Sequence, residues 1–426
     1  MKAASLFDLV LNREPQRWFA LFMALAACSP EGQYARTLST GGQSGRAAGG
    51  VGLQGGAGDP NQAVLYGDVR NCAAVGDVCP LLLSSYPVCV EQKCGFECNS
   101  GFFDCDRDPK SGCEVDLDRD PNNCGRCGRH CSDNLCTNGR CSPVTLAEGQ
   151  DHPRSLAINK THAYWTSQGA YRNPAVLRVP LEGGAVSPGG PGHLGNTWGI
   201  ALGASDVYWT GNDGGDHGLF RGALDFSGTV ERLDGGSNNL GLVIDEAGGS
   251  LYWVQNSGIR TMALRGVSGS AKTLVSGQIE AQDIAADDLN VYWVNHTATG
   301  SLMKLAKGST TATPLAANQA LPSGIAVYQN NVYWANTASG EILSVPRTGG
   351  TPTALVSNLR RPWAVAVDAS GVYWSTEEGT VSSLSEPASP IQELARFEGK
   401  PIALALDASS VYWANFESGT LRKVAK

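Results

Sequence analysis

The C-terminal two thirds of the chain repeats one pattern of apolar and polar positions. In a clear copy, the apolar run 363–367 is followed by the turn 368–371 and by the apolar run 372–375, which contains an adjacent tyrosine and tryptophan. Alternation with a period of two predicts β-strands, and Asp-Ala-Ser-Gly is typical of a tight turn. We therefore predict antiparallel strands joined by short turns throughout this part of the chain.

The tyrosine–tryptophan pair recurs seven times, with tryptophan spacings of 44, 44, 40, 41, 40 and 39 residues. A period of about 40 to 45 residues is the signature of propeller blades. Neighbouring strand residues face opposite sides of a sheet, so a buried pair needs a sheet that is covered on both sides. We interpret the pairs as packing residues rather than ligand platforms. The tryptophans are Trp165, Trp209, Trp253, Trp293, Trp334, Trp374 and Trp413.

The last copy ends after three strands, and a matching fourth strand stands before the first copy. The run 144–148 has the same character as the outer strands 353–357 and 392–396. We predict that this N-terminal strand completes the last blade, because ring closure removes exposed sheet edges. The predicted fold class is all-β, with a seven-bladed propeller over 143–426.

Twelve cysteines lie within 71–142, and none follows. The even count in an exported chain predicts six disulfides in a small disulfide-rich domain, without fixing the pairing. Zinc is the alternative, since Cys124 and Cys127 have metal-ligand spacing, but a second such pair is missing. The cysteines are Cys72, Cys79, Cys89, Cys94, Cys98, Cys105, Cys113, Cys124, Cys127, Cys131, Cys136 and Cys141.

Two aspartate-rich segments of this domain have nearly the same sequence, and their aspartates are candidate calcium ligands. Alternating carboxylates can supply oxygen ligands to calcium, although the proline and the missing glutamate exclude an EF-hand loop. An irregular calcium loop and a set of solvated turn residues both stay open at this point. The aspartates are Asp104, Asp106, Asp108, Asp116, Asp118 and Asp120.

The N-terminus predicts export. The apolar run 18–27 is too short for a bilayer, which takes about 20 residues, but it suits a cleavable signal sequence over 1–27. Leu-Ala-Ala-Cys at 25–28 resembles the lipobox of bacterial lipoproteins. That resemblance implies acylation of Cys28 and an outer-membrane place in the cell envelope; an ordinary signal with an incidental cysteine is the alternative. The glycine-rich stretch 28–70 predicts a flexible, disordered tether.

Two further resemblances concern the folded parts. The run 112–131 resembles a cysteine-rich motif of exported proteins from myxobacteria and their relatives, which implies a surface setting. The repeats resemble the Tyr-Trp-Thr-Asp propellers of the low-density-lipoprotein receptor family, which implies the architecture and a binding role. Here Thr-Asp never follows the pair, and that family has six blades, so no site residues carry over.

Strand order predicts where a ligand would bind. Loops that enter inner strands and loops that follow the tyrosine–tryptophan strands share the end of the ring where the central channel opens. Function concentrates on such loops, although a solvated loop face is the plain alternative. The candidates for this ligand face are His152, His193, Trp198, Asp216, His217, Glu280, His296, Arg361, Trp363 and Glu377.

We predict a lipid-anchored envelope protein whose propeller binds a surface protein or a glycan without catalysis. A net charge of -8 argues against nucleic acid, because phosphate contacts need a basic face. The alternative is an exported, metal-assisted lyase or lactonase, with His217 or His296 as base and Glu377 or Asp216 as metal ligand. Apart from calcium as a candidate, no cofactor is predicted.

Overall fold

The computed structural model describes residues 68–131, 133, 135–168, 176–189, 194–213, 216–237, 239–255, 257–387 and 389–426, with the side chains at 194–196, 212, 213, 216 and 239 left out. The described residues form strands and turns, and they include no helix that could cross a membrane. They all belong to one unit, 64–426. The predicted signal sequence, Cys28 and the predicted tether up to residue 67 lie outside the described residues.

Seven four-stranded antiparallel sheets make up the propeller, which confirms the predicted fold. From the channel outward the strands are, in blade 1, β8 (Pro153–Ile158), β9 (His162–Ser167), β10 (Val176–Pro180) and β11 (Ser187–Gly189); in blade 2, β12 (Leu194–Leu202), β13 (Asp206–Asp213), β14 (Asp216–Ala223) and β15 (Glu231–Gly235); in blade 3, β16 (Asn239–Asp245), β17 (Ser250–Gln255), β18 (Gly258–Ala263) and β19 (Lys272–Val275).

The remaining four blades repeat this order. They are, in blade 4, β20 (Ala281–Ala286), β21 (Asn290–Asn295), β22 (Gly300–Ala306) and β23 (Thr313–Gln319); in blade 5, β24 (Pro322–Tyr328), β25 (Asn331–Asn336), β26 (Glu341–Pro346) and β27 (Thr353–Val356); in blade 6, β28 (Pro362–Asp368), β29 (Gly371–Thr376), β30 (Val381–Leu384) and β31 (Gln392–Ala395); in blade 7, β32 (Pro401–Leu406), β33 (Ser410–Asn415), β34 (Thr420–Ala425) and β7 (Val144–Ala147).

The N-terminal strand closes the ring as predicted. β7 pairs antiparallel with β34, with Ala147 opposite Leu421 and Thr145 opposite Arg422. The last blade therefore joins chain segments that are far apart in sequence, and its outer edge is paired.

The tyrosine–tryptophan pairs are buried between neighbouring blades. The indole rings of all seven repeat tryptophans are at most 2% exposed, and six of the seven tyrosines are buried as well. Tyr333 is the exception: it is half-buried beside a cavity of about 300 Å³ between blades 5 and 6. Each blade thus buries aromatic surface on both of its faces, which is the main stabilising contribution available to such small sheets.

Six disulfides hold the cysteine-rich domain, whose described residues form only three two-stranded ribbons. These are β1 (Ser85–Val90) with β2 (Lys93–Cys98), β3 (Phe102–Phe103) with β4 (Val115–Asp116), and β5 (Cys136–Thr137) with β6 (Arg140–Cys141). The predicted six bridges are confirmed, and all twelve sulfurs are paired, so none is left as a thiolate for zinc. The pairs are Cys72–Cys89, Cys79–Cys94, Cys98–Cys113, Cys105–Cys127, Cys124–Cys136 and Cys131–Cys141.

The second half of this domain packs against blades 6 and 7. The disulfides of Cys124 and Cys131 join one apolar cluster with Tyr373 and Trp413. Arg129 is only 4% exposed and donates through Nη2 to the Ala425 carbonyl at 2.9 Å. Burial lowers the pKa of Arg129 to about 10, which leaves it charged at neutral pH. The cysteine-rich domain is thereby docked where the ring closes.

Candidate functional site at the channel mouth

One backbone feature recurs at the end of the ring where inner strands begin. The residue immediately before the innermost strand has a left-handed backbone in several blades, with φ of 47° at His152, 51° at Glu280 and 49° at Arg361. Its carbonyl accepts the N–H that follows the tyrosine–tryptophan strand, as in His296 N–H to Glu280 at 2.9 Å and Glu377 N–H to Arg361 at 3.0 Å. The two sets of loops therefore do share one end.

Small residues line the narrowest part of the channel. A Cβ on Gly199 would lie 2.5 Å from the Leu240 carbonyl oxygen of the next blade, and one on Gly324 would lie 2.6 Å from the Trp363 carbonyl oxygen. Neighbouring inner strands approach too closely here for a side chain. In blade order this ring consists of Ser155, Gly199, Gly241, Asp283, Gly324, Ala364 and Ala403.

This ring lines a cavity of about 240 Å³ in the channel. The larger side chains of Arg154, Trp198, Gln282 and Trp363 line the same cavity. Trp198 in blade 2 and Trp363 in blade 6 stand on opposite sides of the channel, and both are partly exposed. The cavity therefore offers two indole rings beside a guanidinium and an amide.

Hydroxyl groups from the preceding blade hold both indole-bearing strands. Thr166 donates to the Trp198 carbonyl at 3.0 Å, and Ser323 donates to the Trp363 carbonyl at 2.8 Å. The Arg154 guanidinium lies 3.7 Å from the centre of the Trp198 ring, a cation–π contact, and donates to Gln168 Oε1 at 3.1 Å. Burial lowers the pKa of Arg154 to about 10, so it remains a cation at neutral pH.

Asp283 is the one charged residue in the ring of small residues. Its carboxylate accepts the Ile284 N–H at 2.9 Å and the Ile325 N–H at 3.2 Å, so it connects the inner strands of blades 4 and 5. Burial raises the pKa of Asp283 to about 6, against the opposing effect of these two N–H donors. Asp283 was not among the site residues predicted from the sequence. One sequence feature could have identified it: Asp283 is an acidic residue at a repeat position where the other blades carry Ser, Gly or Ala.

A network of charges borders the mouth on the side of blades 6 and 7. Glu377 forms an ion pair with Arg361, and its other oxygen lies 3.9 Å from Lys400 Nζ. Lys400 also lies over the Phe416 ring, which the His152 ring contacts with a centroid distance of 4.8 Å. This network presents charge and aromatic surface together at the rim.

The other predicted residues are placed less centrally. His296 Nδ1 lies 2.9 Å from the Pro322 carbonyl oxygen, and its ring meets the edge of Trp363 at 5.8 Å. His217 is an exposed residue of β14, and Glu280 is exposed before β20. The side chain of Asp216 and all of His193 lie outside the described residues. The structure thus gathers Arg154, Trp198 and Trp363 in one cavity and leaves His217 apart from its lining.

Within the described residues, groups of three metal-binding side chains occur only in the cysteine-rich domain. Two of these groups consist of disulfide-bonded cysteines, and the third is Asp104, Asp106 and Glu114. Asp108 and Asp120 instead accept nearby backbone N–H groups within their own turns, as does Asp116. The six aspartates therefore do not converge on one point, and calcium binding stays a prediction.

Fold and site together define a seven-bladed β-propeller with an aromatic and polar cavity at its channel mouth. A scan against family models finds no match, and neither does a search of curated proteins. Similar solved structures include virginiamycin B lyase from Staphylococcus aureus, with a TM-score of 0.54 and 12% identity over 67% of this chain and 98% of that chain. A catalytically inactive variant of the same lyase with quinupristin gives a TM-score of 0.54 at 13% identity, over 67% and 98% of the two chains.

A nidogen/laminin complex is also similar, with a TM-score of 0.42 and 17% identity over 53% of this chain and 94% of that chain. At 12% and 13% identity the two lyase structures establish the propeller fold alone. The chemistry of the mouth has to be argued from this chain's own residues.

Proposed function

We propose that this chain is an exported binding protein of the cell envelope, anchored through Cys28, whose propeller binds a glycan at the channel mouth without catalysis. The observation that carries the proposal is the placement of Trp198 and Trp363 on opposite walls of one cavity, beside Arg154 and Gln282. Indole faces pack on the apolar face of a sugar ring. Planar guanidinium and amide groups pair with neighbouring hydroxyls.

The dimensions of the cavity suit one inserted ring rather than a long chain. Its volume is about 240 Å³, and the closely spaced inner strands at Gly199 and Gly324 leave no room there for larger groups. We propose that a terminal or branching sugar enters, while the rest of the ligand lies across the rim. There Glu377 and Lys400 offer further polar contacts.

A glycan array probed with the mature protein tests this binding, followed by titration of the best sugar. Trp198→Ala and Trp363→Ala should each weaken binding at least about tenfold, since aromatic anchors dominate such sites. Phe103→Ala is the matched control, because it removes an exposed aromatic side chain of the cysteine-rich domain. Glycan binding that both mouth variants retain in full would refute the mouth as the site. Capture of an envelope protein by the same residues would instead make the ligand a protein.

The enzyme alternative shares the propeller fold with virginiamycin B lyase, which at 12% identity brings no activity to this chain. It requires a metal held near the mouth, and a bound metal stabilises a folded protein by mass action. We expect Mg²⁺, Ca²⁺ or Zn²⁺ to leave the melting temperature of the propeller unchanged. A saturable rise that Glu377→Gln abolishes would favour the enzyme.

The anchor is tested separately from the ligand. Cells that express the protein with a metabolically labelled fatty acid should acylate the wild type and not Cys28→Ser. When a detergent extract of the cells is separated into two phases, the wild type should partition into the detergent phase and the Cys28→Ser variant into the aqueous phase. Equal labelling of the two proteins would refute the anchor and leave the glycan site untouched.

A further inference from the structure

A second cavity lies between blades 1 and 2 and shares no lining residue with the channel. Its volume is about 530 Å³, within the range of roughly 300 to 1,000 Å³ typical of small-molecule pockets. Apolar side chains form most of its wall, and none of the described residues that line it is charged. The principal ones are Val176, Val207, Trp209, Gly222, Phe226 and Val230.

The register of the sheets explains why space is left at this place. In every blade, the residue two before the repeat tryptophan pairs with a residue of the third strand. In blade 2 that partner is Gly222, opposite Val207. In the other six blades it is a large buried apolar residue, namely Val179, Met262, Leu305, Val345, Leu384 or Val424.

The wall contributed by blade 1 lacks a side chain as well. Gly189 pairs with Val176 in the outer strand, where five of the other six blades carry valine or alanine. The Phe226 ring occupies that space, because a Cβ on Gly189 would lie only 2.4 Å from it. Phe226 has a φ of 62°, which bulky residues rarely adopt, and its ring meets the edge of Tyr164 at 6.0 Å.

Gly189 and Gly222 therefore both line this inter-blade cavity, and Gly222 stands where the other six blades carry a large apolar side chain. The walls of an empty apolar cavity lack partner atoms and lose their dispersion contacts. A group of matching shape regains those contacts, as small apolar molecules do in dry protein cavities. The described lining offers no charged group to an ionised ligand, which favours a neutral one.

We propose that the cavity between blades 1 and 2 is a binding site for a small, neutral hydrophobic molecule with one aromatic ring or one branched aliphatic group. The Trp209 indole forms one wall, and Phe226, on the turn between β14 and β15, forms another. The Ser227 and Thr229 hydroxyls at one edge suit a ligand with a single hydrogen-bonding group. The site is independent of the channel mouth and of the function proposed there.

Indole and toluene are suitable probes, titrated into the full mature protein with calorimetry and thermal melting as readouts. The wild type should bind either probe saturably at one site. Gly222→Val restores the side chain found at this position in three other blades, and its Cβ would meet Trp209 and Val230 at 3.4 to 3.7 Å, which is ordinary contact. It should weaken probe binding at least about tenfold and raise the melting temperature without ligand.

Gly222→Ala fills less space and should weaken binding by an intermediate factor, which keeps the test decisive if the valine variant folds poorly. Gly95→Val is the matched control. It adds the same side chain at a strand glycine of the cysteine-rich domain and should leave binding unchanged. Absence of saturable binding of both probes to the wild type would overturn the proposal. Equal affinity of the wild type and the Gly222 variants would do so too.

Discussion

A buried carboxylate in blade 7 gives the sharpest stability prediction. Glu398 Oε2 accepts hydrogen bonds from Trp413 Nε1 at 2.9 Å and from Asn415 Nδ2 at 2.6 Å, and its Oε1 pairs with Arg422 Nη1 at 2.6 Å. The Glu398 side chain is only 2% exposed. Arg422 also donates to the Pro143 carbonyl, just before β7. One side chain thus connects the repeat tryptophan of the last blade to the residues that close the ring.

The expected cost of Glu398→Ala follows from these contacts. Removing one partner of a buried ion pair costs about 3 to 5 kcal/mol, and each buried donor left without an acceptor costs about 1 to 3 kcal/mol. Arg422 is 27% exposed and keeps the Pro143 contact, which offsets part of this loss. We expect the free energy of unfolding to fall by about 4 to 6 kcal/mol, which is a large share of the total free energy of unfolding of an ordinary domain.

Blade 5 supplies a matched control for the ion pair. Gln319 Oε1 accepts from Trp334 Nε1 at 3.1 Å and from Asn336 Nδ2 at 3.0 Å, so it plays the same part without a cation. Gln319→Ala should therefore cost only about 2 to 3 kcal/mol. The difference between the two variants includes the contribution of Arg422 and the loss of the Trp413 acceptor, because Trp334 Nε1 keeps a second acceptor in Asn336 Oδ1 at 3.2 Å.

Urea denaturation of the oxidised protein, followed by tryptophan fluorescence and circular dichroism together, measures both costs if the two probes give coincident transitions. The double variant Glu398→Ala with Arg422→Ala completes a thermodynamic cycle for the pair. If Glu398→Ala costs no more than Gln319→Ala, the ion pair does not stabilise ring closure and the reasoning is wrong.

Three further predictions follow from individual contacts. Burial raises the pKa of Asp283 to about 6, so its contribution to stability is present below about pH 4 and is lost as the pH rises through 6. Asp283→Asn should then raise the free energy of unfolding by about 1 to 3 kcal/mol at pH 7.5 and change it little at pH 4; equal effects at both would contradict this. Arg129→Ala leaves the Ala425 carbonyl without its donor and should destabilise by about 2 to 4 kcal/mol, with faster proteolysis of the cysteine-rich domain; an unchanged cleavage rate would count against the docking role. Thr166→Val removes the hydroxyl that holds the Trp198 carbonyl and should cost about 1 to 2 kcal/mol in thermal denaturation, whereas no measurable loss would show that the bond is dispensable.

The local pattern was sufficient to predict the architecture. Alternation, turn chemistry and the near-constant spacing of the tryptophans each concern residues close together in the chain, and a blade is built from such residues. The closing strand was also predictable, since 144–148 resembles an outer strand and the last copy lacks one. The burial of adjacent aromatics followed from the need to cover both faces of every blade.

The site was predictable only in outline. Loop order placed Trp198, Arg361, Trp363 and Glu377 together at one end of the ring, because strand direction fixes that end. It could not show which side chains converge, so His217 was ranked with Trp363, and Asp283 was overlooked. Convergence depends on how far seven inner strands approach one another, and that distance is set by ring closure.

The sequence by itself therefore determined the number of blades, the buried aromatic pairs and the even count of cysteines, because these depend on short-range periodicity and composition. Only the tertiary structure decided the disulfide pairing, the docking of Arg129 on blade 7, the environment of Asp283 and the cavity beside Gly222. Each of these depends on contacts between residues far apart in the chain or in different blades. When the blades pack side by side, the missing side chain at Gly222 leaves a space. The residues next to Gly222 in the sequence do not reveal that space.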